Sequence, residues 1–88
     1  MKYNYQLFED NAGGLHLAVL DHDGACVYYL TDLEQCLVWD TLAELKAGGD
    51  PIEDGWEGGE DEPQECYQSI LALVAARNGG AWQADDET

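Results

Sequence analysis

Between Tyr3 and Leu30 apolar and polar residues alternate, and a period of two is the signature of half-buried strands. Tyr3, Tyr5 and Leu7 share one face of a first strand, with Asn4, Gln6 and Phe8 on the other. Beyond the loop from Glu9 to Gly14, Leu15, Leu17 and Val19 share one face of a second strand. His16, Ala18 and Leu20 take its opposite face. Asp23-Gly24 predicts a two-residue type I′ turn, after which Cys26, Tyr28 and Leu30 continue on a third strand. With the turn there, Val19 stands opposite Tyr28 and Leu17 opposite Leu30, so the apolar faces agree. The expectation is a three-stranded antiparallel meander.

Helical signals follow. Thr31 with Glu34 reads as a capping box, and Leu33, Leu37, Val38, Leu42 and Leu45 as an apolar stripe with Trp39 beside it. Gly48-Gly49 and Asp50-Pro51 end that helix. Asp61 with Gln64 marks a second start, with Pro63 in the first turn, and Tyr67, Ile70, Leu71 and Val74 give its buried face. Asn78-Gly79-Gly80 closes it, and Ala81 to Ala84 predict a short C-terminal edge strand. The fold class is α+β: the meander packed on two helices in two layers, a single domain over 1–84 with residues 85–88 as a frayed acidic tail. Both helices are expected on one sheet face. The other face, with Phe8, Leu20, Val27 and Tyr29, is more apolar than a solvated face requires, and its expected cover is the segment around Trp82 or a second subunit.

Charge constrains function more than fold. The chain carries 19 Asp+Glu against 3 Lys+Arg, a formal charge of −16 in 88 residues. Eight carboxylates fall in the sixteen residues from Asp50 to Glu65, and no lysine or arginine lies between Lys46 and Arg77. Such self-repulsion opposes the compact state, so a positive partner is the reading that explains its retention. Hydrophobic residues at 45% argue against a disordered acidic tail. Direct nucleic-acid binding is disfavoured, because three basic residues cannot build a phosphate groove. No apolar run reaches the length of a membrane span, and the N-terminus shows no signal-peptide pattern. Cys26, Cys36 and Cys66 are odd in number and widely spaced, which predicts reduced thiols in a cytoplasmic protein.

Catalytic motifs are absent from the sequence: no Gly-x-Ser-x-Gly, no P-loop and no His-Glu-x-x-His. His22 is expected at the hairpin turn and His16 mid-strand in a structural role. The reading is therefore no enzyme, no cofactor and no metal site. Weak calcium binding is an alternative, offered by Asp21 to Gly24 and Asp50 to Gly55, although neither matches an EF-hand register.

The succession of strand, strand, strand, helix, acidic loop and helix resembles that of small type II anti-CRISPR proteins, which occupy the PAM-reading cleft of Cas9 by mimicking DNA. The matching points are the Asp23-Gly24 hairpin, the helix after it, and Trp56-Glu57 with Glu60-Asp61-Glu62 leading into the Tyr67 helix. The likeness covers residues 15 to 75, and this chain begins with a strand where those proteins begin with a helix. The motifs EDNAGGLHLAVLD and LKAGGDPIEDGWEG are also similar to a family of small acidic proteins from Gram-positive gut bacteria and their mobile elements. That second likeness implies a fold family and no activity. The first implies binding residues at Glu53, Asp54, Glu57, Glu60, Asp61 and Glu62, and no catalytic residue comes from either.

The leading expectation is thus a nucleic-acid mimic that inhibits a basic nucleic-acid-binding protein. Glu53, Asp54, Glu57, Glu60, Asp61 and Glu62 would meet the basic surface, around an exposed Trp56 as anchor. The rival expectation is an interaction module that works through Phe8, Leu20, Val27 and Tyr29 on the outer sheet face, as a homodimer.

Overall fold

A computed structural model describes residues 3–10, 12–77 and 84–87. Its elements run β1 (Asn4–Glu9), β2 (Leu15–Leu20), β3 (Cys26–Asp32), α1 (Cys36–Lys46), α2 (Pro63–Arg77) and β4 (Ala84–Glu87). The strands form one sheet in the order β3-β2-β1-β4, with β1, β2 and β3 as the expected antiparallel meander. Tyr5 pairs with Val19 and Leu7 with Leu17, while Leu17 pairs with Leu30 and Val19 with Tyr28. The fold is α+β.

The β2–β3 register is reached by a different route from the one expected. Asp23 does not take the positive φ that a type I′ turn demands, whereas Gly24 sits at φ 85°. The loop has three residues, closed by the Asp21 N–H donating to the Ala25 carbonyl at 2.9 Å. Asp21 Oδ1 accepts from the N–H groups of Asp23 and Ala25, both at 2.9 Å. The β1–β2 connection repeats the device, with Asp10 Oδ1 accepting from Ala12 and Gly14 and with Gly13 at φ 85°. A loop one residue longer would shift β3 by one position. Leu20 indeed faces Cys26, and Val27 is then the extra residue of a bulge that restores Val19 opposite Tyr28. The bulge also moves Cys26 to the face of Leu20 and Val27 to the face of Tyr28, the reverse of their expected faces.

The two-layer expectation is corrected, because the helices take opposite sheet faces. Val38, Leu42 and Leu45 of α1 join Tyr5, Leu7, Leu15, Leu17, Val19, Tyr28 and Leu30 in one core. Tyr67 and Ile70 of α2 cover Phe8, Ala18, Leu20, Cys26 and Tyr29 in a second. The outer face needed a cover, and α2 supplies it. The chain passes between the two faces around the free edge of β3, where the acidic loop runs.

Helix α1 starts later than Thr31–Glu34 predicts. Its N-cap position is Gln35, at φ 70° and without a side-chain cap bond, while Asp32, three residues earlier, accepts from the Glu34 N–H through Oδ1 at 3.0 Å and from the Leu37 N–H through Oδ2 at 2.7 Å. Leu33 and Leu37 therefore fall outside the buried stripe and are exposed, as is Trp39. The stripe that is buried is Val38, Thr41, Leu42 and Leu45. Helix α2 begins at Pro63, with the Cys66 N–H donating to the Glu62 carbonyl at 3.0 Å. Its expected stripe holds: Tyr67 and Ile70 are buried, and Leu71 and Val74 pack against the same core.

At the C-terminus, Asp85, Asp86 and Glu87 do not fray: they pair with Leu7, Gln6 and Tyr5 as β4. Backbone pairing to the outer edge of β1 offsets the ordering cost that fraying would avoid. The expected helix stop at Asn78 to Gly80, the start of the edge strand at Ala81 to Gln83, and the cover by Trp82 lie outside the described residues.

Candidate functional site

The acidic loop is tied to the body at successive points. Asp50, nearly buried at 7% exposure, accepts through Oδ1 from the Tyr3 hydroxyl at 3.0 Å and from the N–H groups of Ile52 and Glu53. The Asp50 N–H in turn donates to Asp54 Oδ2 at 3.1 Å. Asp50 and Asp54 thus build a turn. Trp56 follows, and it is not the exposed anchor expected: it is half-buried against the α1-side core, edge-on to Tyr28 with ring centroids 5.6 Å apart. A flat indole beside an open tyrosine edge is better placed in the core than in water.

The rest of the loop lies along β3. The Tyr28 hydroxyl donates to the Glu57 carbonyl at 2.9 Å, and the Glu60 N–H donates to the Tyr29 carbonyl at 2.8 Å. Gln64 Oε1 accepts from the Cys26 N–H at 2.6 Å. These bonds occupy edge groups that would otherwise offer a template for another strand. Glu53, Asp54, Glu57, Glu60, Asp61 and Glu62, the six carboxylates expected to bind, are all exposed, although Asp54 Oδ2 accepts from the Asp50 N–H and Glu60 Oε1 from the Thr31 hydroxyl. The expected group around Trp56 is divided by this course. Glu53 and Asp54 belong to the Asp50 turn, whereas Glu60 and Glu62 line a groove with Glu65, which had not been singled out.

That groove, about 370 Å³, lies between α2 and β3 and is lined by Tyr29, Ile70 and Leu73 among others. Burial, and then the carboxylates Glu60, Glu65 and Glu62, push the Cys66 thiol up from its ordinary pKa. Cys26 is pushed up to about 11 by burial. Both sulfurs are held as thiols, the unreactive form. The helical spacing of Glu62, Cys66, Ser69 and Leu73 was the signal for this second face of α2, overshadowed by the apolar stripe beside it.

A hydrogen-bonded chain adjoins the groove: Asp10 Oδ2 to His16 Nε2 at 2.9 Å, and His16 Nδ1 to the Tyr29 hydroxyl at 2.8 Å. The order acid, imidazole, hydroxyl matches a nucleophilic relay. Its terminal hydroxyl, however, belongs to a side chain only 3% exposed, and burial raises the Tyr29 phenol well above its ordinary pKa. The chain clamps the first hairpin loop to β3. The bond from His16, aided by the N–H groups of Gly14 and Ala12, lowers the Asp10 carboxyl against the opposing effect of burial. A carboxyl depressed in the folded state adds stability that is complete above its unfolded value near about 3.9 and is lost as pH falls through the folded one. The advantage of the parent over Asp10→Ala in urea unfolding should accordingly be present at neutral pH and shrink in acid. An advantage that persists undiminished would show that only uncharged hydrogen bonds matter there.

The face expected as a sheet interface is closed. Phe8, Leu20 and Tyr29 are 2%, 7% and 3% exposed beneath α2, and Val27 packs with the opposite core. At the stretches offered for calcium, Asp21 holds loop backbone and Asp50 and Asp54 build a turn, and no group of three or more His, Cys, Asp or Glu that could hold a metal ion occurs among the described residues. Among the described residues no helix is long and apolar enough to cross a membrane. Comparison with protein-family models, with curated proteins and with solved structures gives no match.

Proposed function

We propose that this chain is a non-enzymatic acidic protein that binds the basic surface of a nucleic-acid-binding protein in place of the nucleic acid. The observation that carries this reading is the fixed mounting of exposed carboxylates. Glu57 and Glu60 are held to Tyr28 and Tyr29 of the sheet edge through their own backbones, and Glu62 opens a helix whose Gln64 binds the same strand. A solubilising surface needs charge without position. Carboxylates on a pinned backbone lose less freedom on binding, and their uncompensated field steers a cationic partner toward them. Lys46, the nearest cation in sequence, sits over the Tyr5 ring at 5.6 Å on the α1 side. In this reading the protein works in the cytoplasm, where Cys26, Cys36 and Cys66, all unpaired, stay reduced. A DNA-reading nuclease of the Cas9 kind is one target with the required basic cleft.

The test is capture from cell extract on the immobilised protein, followed by elution with a short DNA duplex. A partner released by duplex at a salt concentration that does not itself elute is expected. The variant Glu57→Lys, Glu60→Lys, Asp61→Lys, Glu62→Lys should capture none of it, with an unchanged circular dichroism spectrum, since all four side chains are exposed. A partner that duplex DNA cannot displace would overturn the mimicry, and full capture by the variant would overturn the site.

A further inference from the structure

We propose that the groove between α2 and β3 is a socket for an arginine side chain of the partner, an inference that rests on the reading above and adds its anchoring contact. The groove joins two features that a guanidinium requires and a small inorganic cation does not. Its floor is apolar and aromatic: Ile70 and Tyr29 are 3% exposed, and Leu73, at 54%, stands open beside them. Its rim is anionic, with Glu60 and Glu62 reaching from the loop and Glu65 from the first turn of α2.

Among the described residues no cation pairs with these three carboxylates. The Thr31 hydroxyl donates to Glu60 Oε1 at 3.5 Å, and His16 and Ser69 are further polar side chains on the groove wall. All three carboxylates line the groove with Cys66, whose thiol is pushed up first by burial and then by Glu60, Glu65 and Glu62. Arginine fits this combination better than lysine. Its planar, weakly hydrated head tolerates an apolar neighbour such as the exposed Leu73, and its fork of donors reaches carboxylates on two sides. A lysine ammonium would give up more hydration for one point contact.

Glu65 is exposed in the first turn of α2, where a carboxylate also suits the helix dipole. It completes the rim from the helix side, so the binding surface extends from the loop onto α2. An exposed leucine flanked by carboxylates also gives the partner an apolar contact next to the charged one, the arrangement of a central anchor with a polar surround.

The experiment is a nuclear magnetic resonance titration with the peptide acetyl-Gly-Arg-Gly-amide, beside its citrulline and lysine counterparts. The arginine peptide should give saturable shifts at Thr31, Ser69 and Leu73. Citrulline, which keeps the shape and lacks the charge, should bind at least about tenfold more weakly. Equal binding of citrulline, or shifts that spread over all acidic residues without saturating, would overturn the socket. A lysine peptide that binds as tightly as the arginine one would overturn the guanidinium assignment. Ser69→Arg, exposed on the groove side of α2, should fill the socket from within and weaken peptide binding about tenfold. Gln68→Arg makes the same charge change on the adjacent, exposed position that does not line the groove, and should leave binding nearly unchanged. Equal losses in the two variants would mean that net charge alone governs binding. A partner still captured and displaced by DNA, with no peptide binding at the groove, would sink the socket and leave the proposed function standing.

Discussion

Replacing Phe8 with alanine should lower the unfolding free energy by about 3–5 kcal/mol, as for other fully enclosed phenylalanines. Phe8 is 2% exposed and sits between the sheet and α2, in the core shared with Ala18, Leu20, Tyr29, Tyr67 and Ile70. The residues around it come from two strands and a helix, so the space left cannot collapse by moving one side chain. A domain of this size has a total stability of about 4–13 kcal/mol, and the loss is a large part of it. Chemical denaturation followed by fluorescence and circular dichroism measures it. The same result discriminates between two architectures. An open sheet face that awaits a partner would lose almost nothing on Phe8→Ala, and a midpoint close to that of the parent would show that α2 does not cover the face.

Gly59→Ala is expected to cost about 1–3 kcal/mol, from overpacking rather than from a cavity. A methyl group there would stand 2.5 Å from Tyr28 Cε1 and 2.9 Å from Cδ1. Tyr28 cannot swing aside, because its ring lies edge-on to Trp56 and its hydroxyl is bonded to the Glu57 carbonyl. The loop must move instead, and it carries the Glu60 N–H away from the Tyr29 carbonyl. Thermal unfolding should show the loss, and the Glu60 amide should exchange its hydrogen faster. A neutral outcome with unchanged exchange would show that the loop is not fastened to β3. By comparison Gly55→Ala meets no atom within 4 Å, and its cost comes from φ of 63° alone.

The strands, the faces of all but Cys26 and Val27, and the Leu17–Leu30 register were legible because period-two alternation and turn residues act locally. Two local misreadings cancelled there: the Asp21–Ala25 loop is one residue longer than a type I′ turn, and the Val27 bulge takes up the difference. Repetition of Asp-x-x-Gly at Asp10–Gly13 and Asp21–Gly24 was present in the sequence and marks both loops. The side of the sheet on which α2 packs was not legible, since an amphipathic stripe at Tyr67, Ile70 and Val74 fits either face equally well. The excess of apolar residues at Phe8, Leu20 and Tyr29 was the clue, and a covering helix accounts for it without a second subunit. The site was half legible. Charge density located the loop, but tertiary bonds decide which members of it are structural, as Asp50 and Trp56 prove to be. Glu65 joins Glu60 and Glu62 only through the fold.

The route of the chain around the edge of β3 has a consequence for the order in which the molecule assembles. Residues 4–46 form their sheet and first helix from neighbours close in sequence, which is a quick search for a polymer. Helix α2 reaches its place only by carrying a loop of like charges past a finished edge, and it then closes the second core over Phe8. Opening can run backward along the same route, with α2 lifting away while the rest persists. A partner that grips the loop and α2 together would hold that door shut, and slowed hydrogen exchange in the second core would report its arrival.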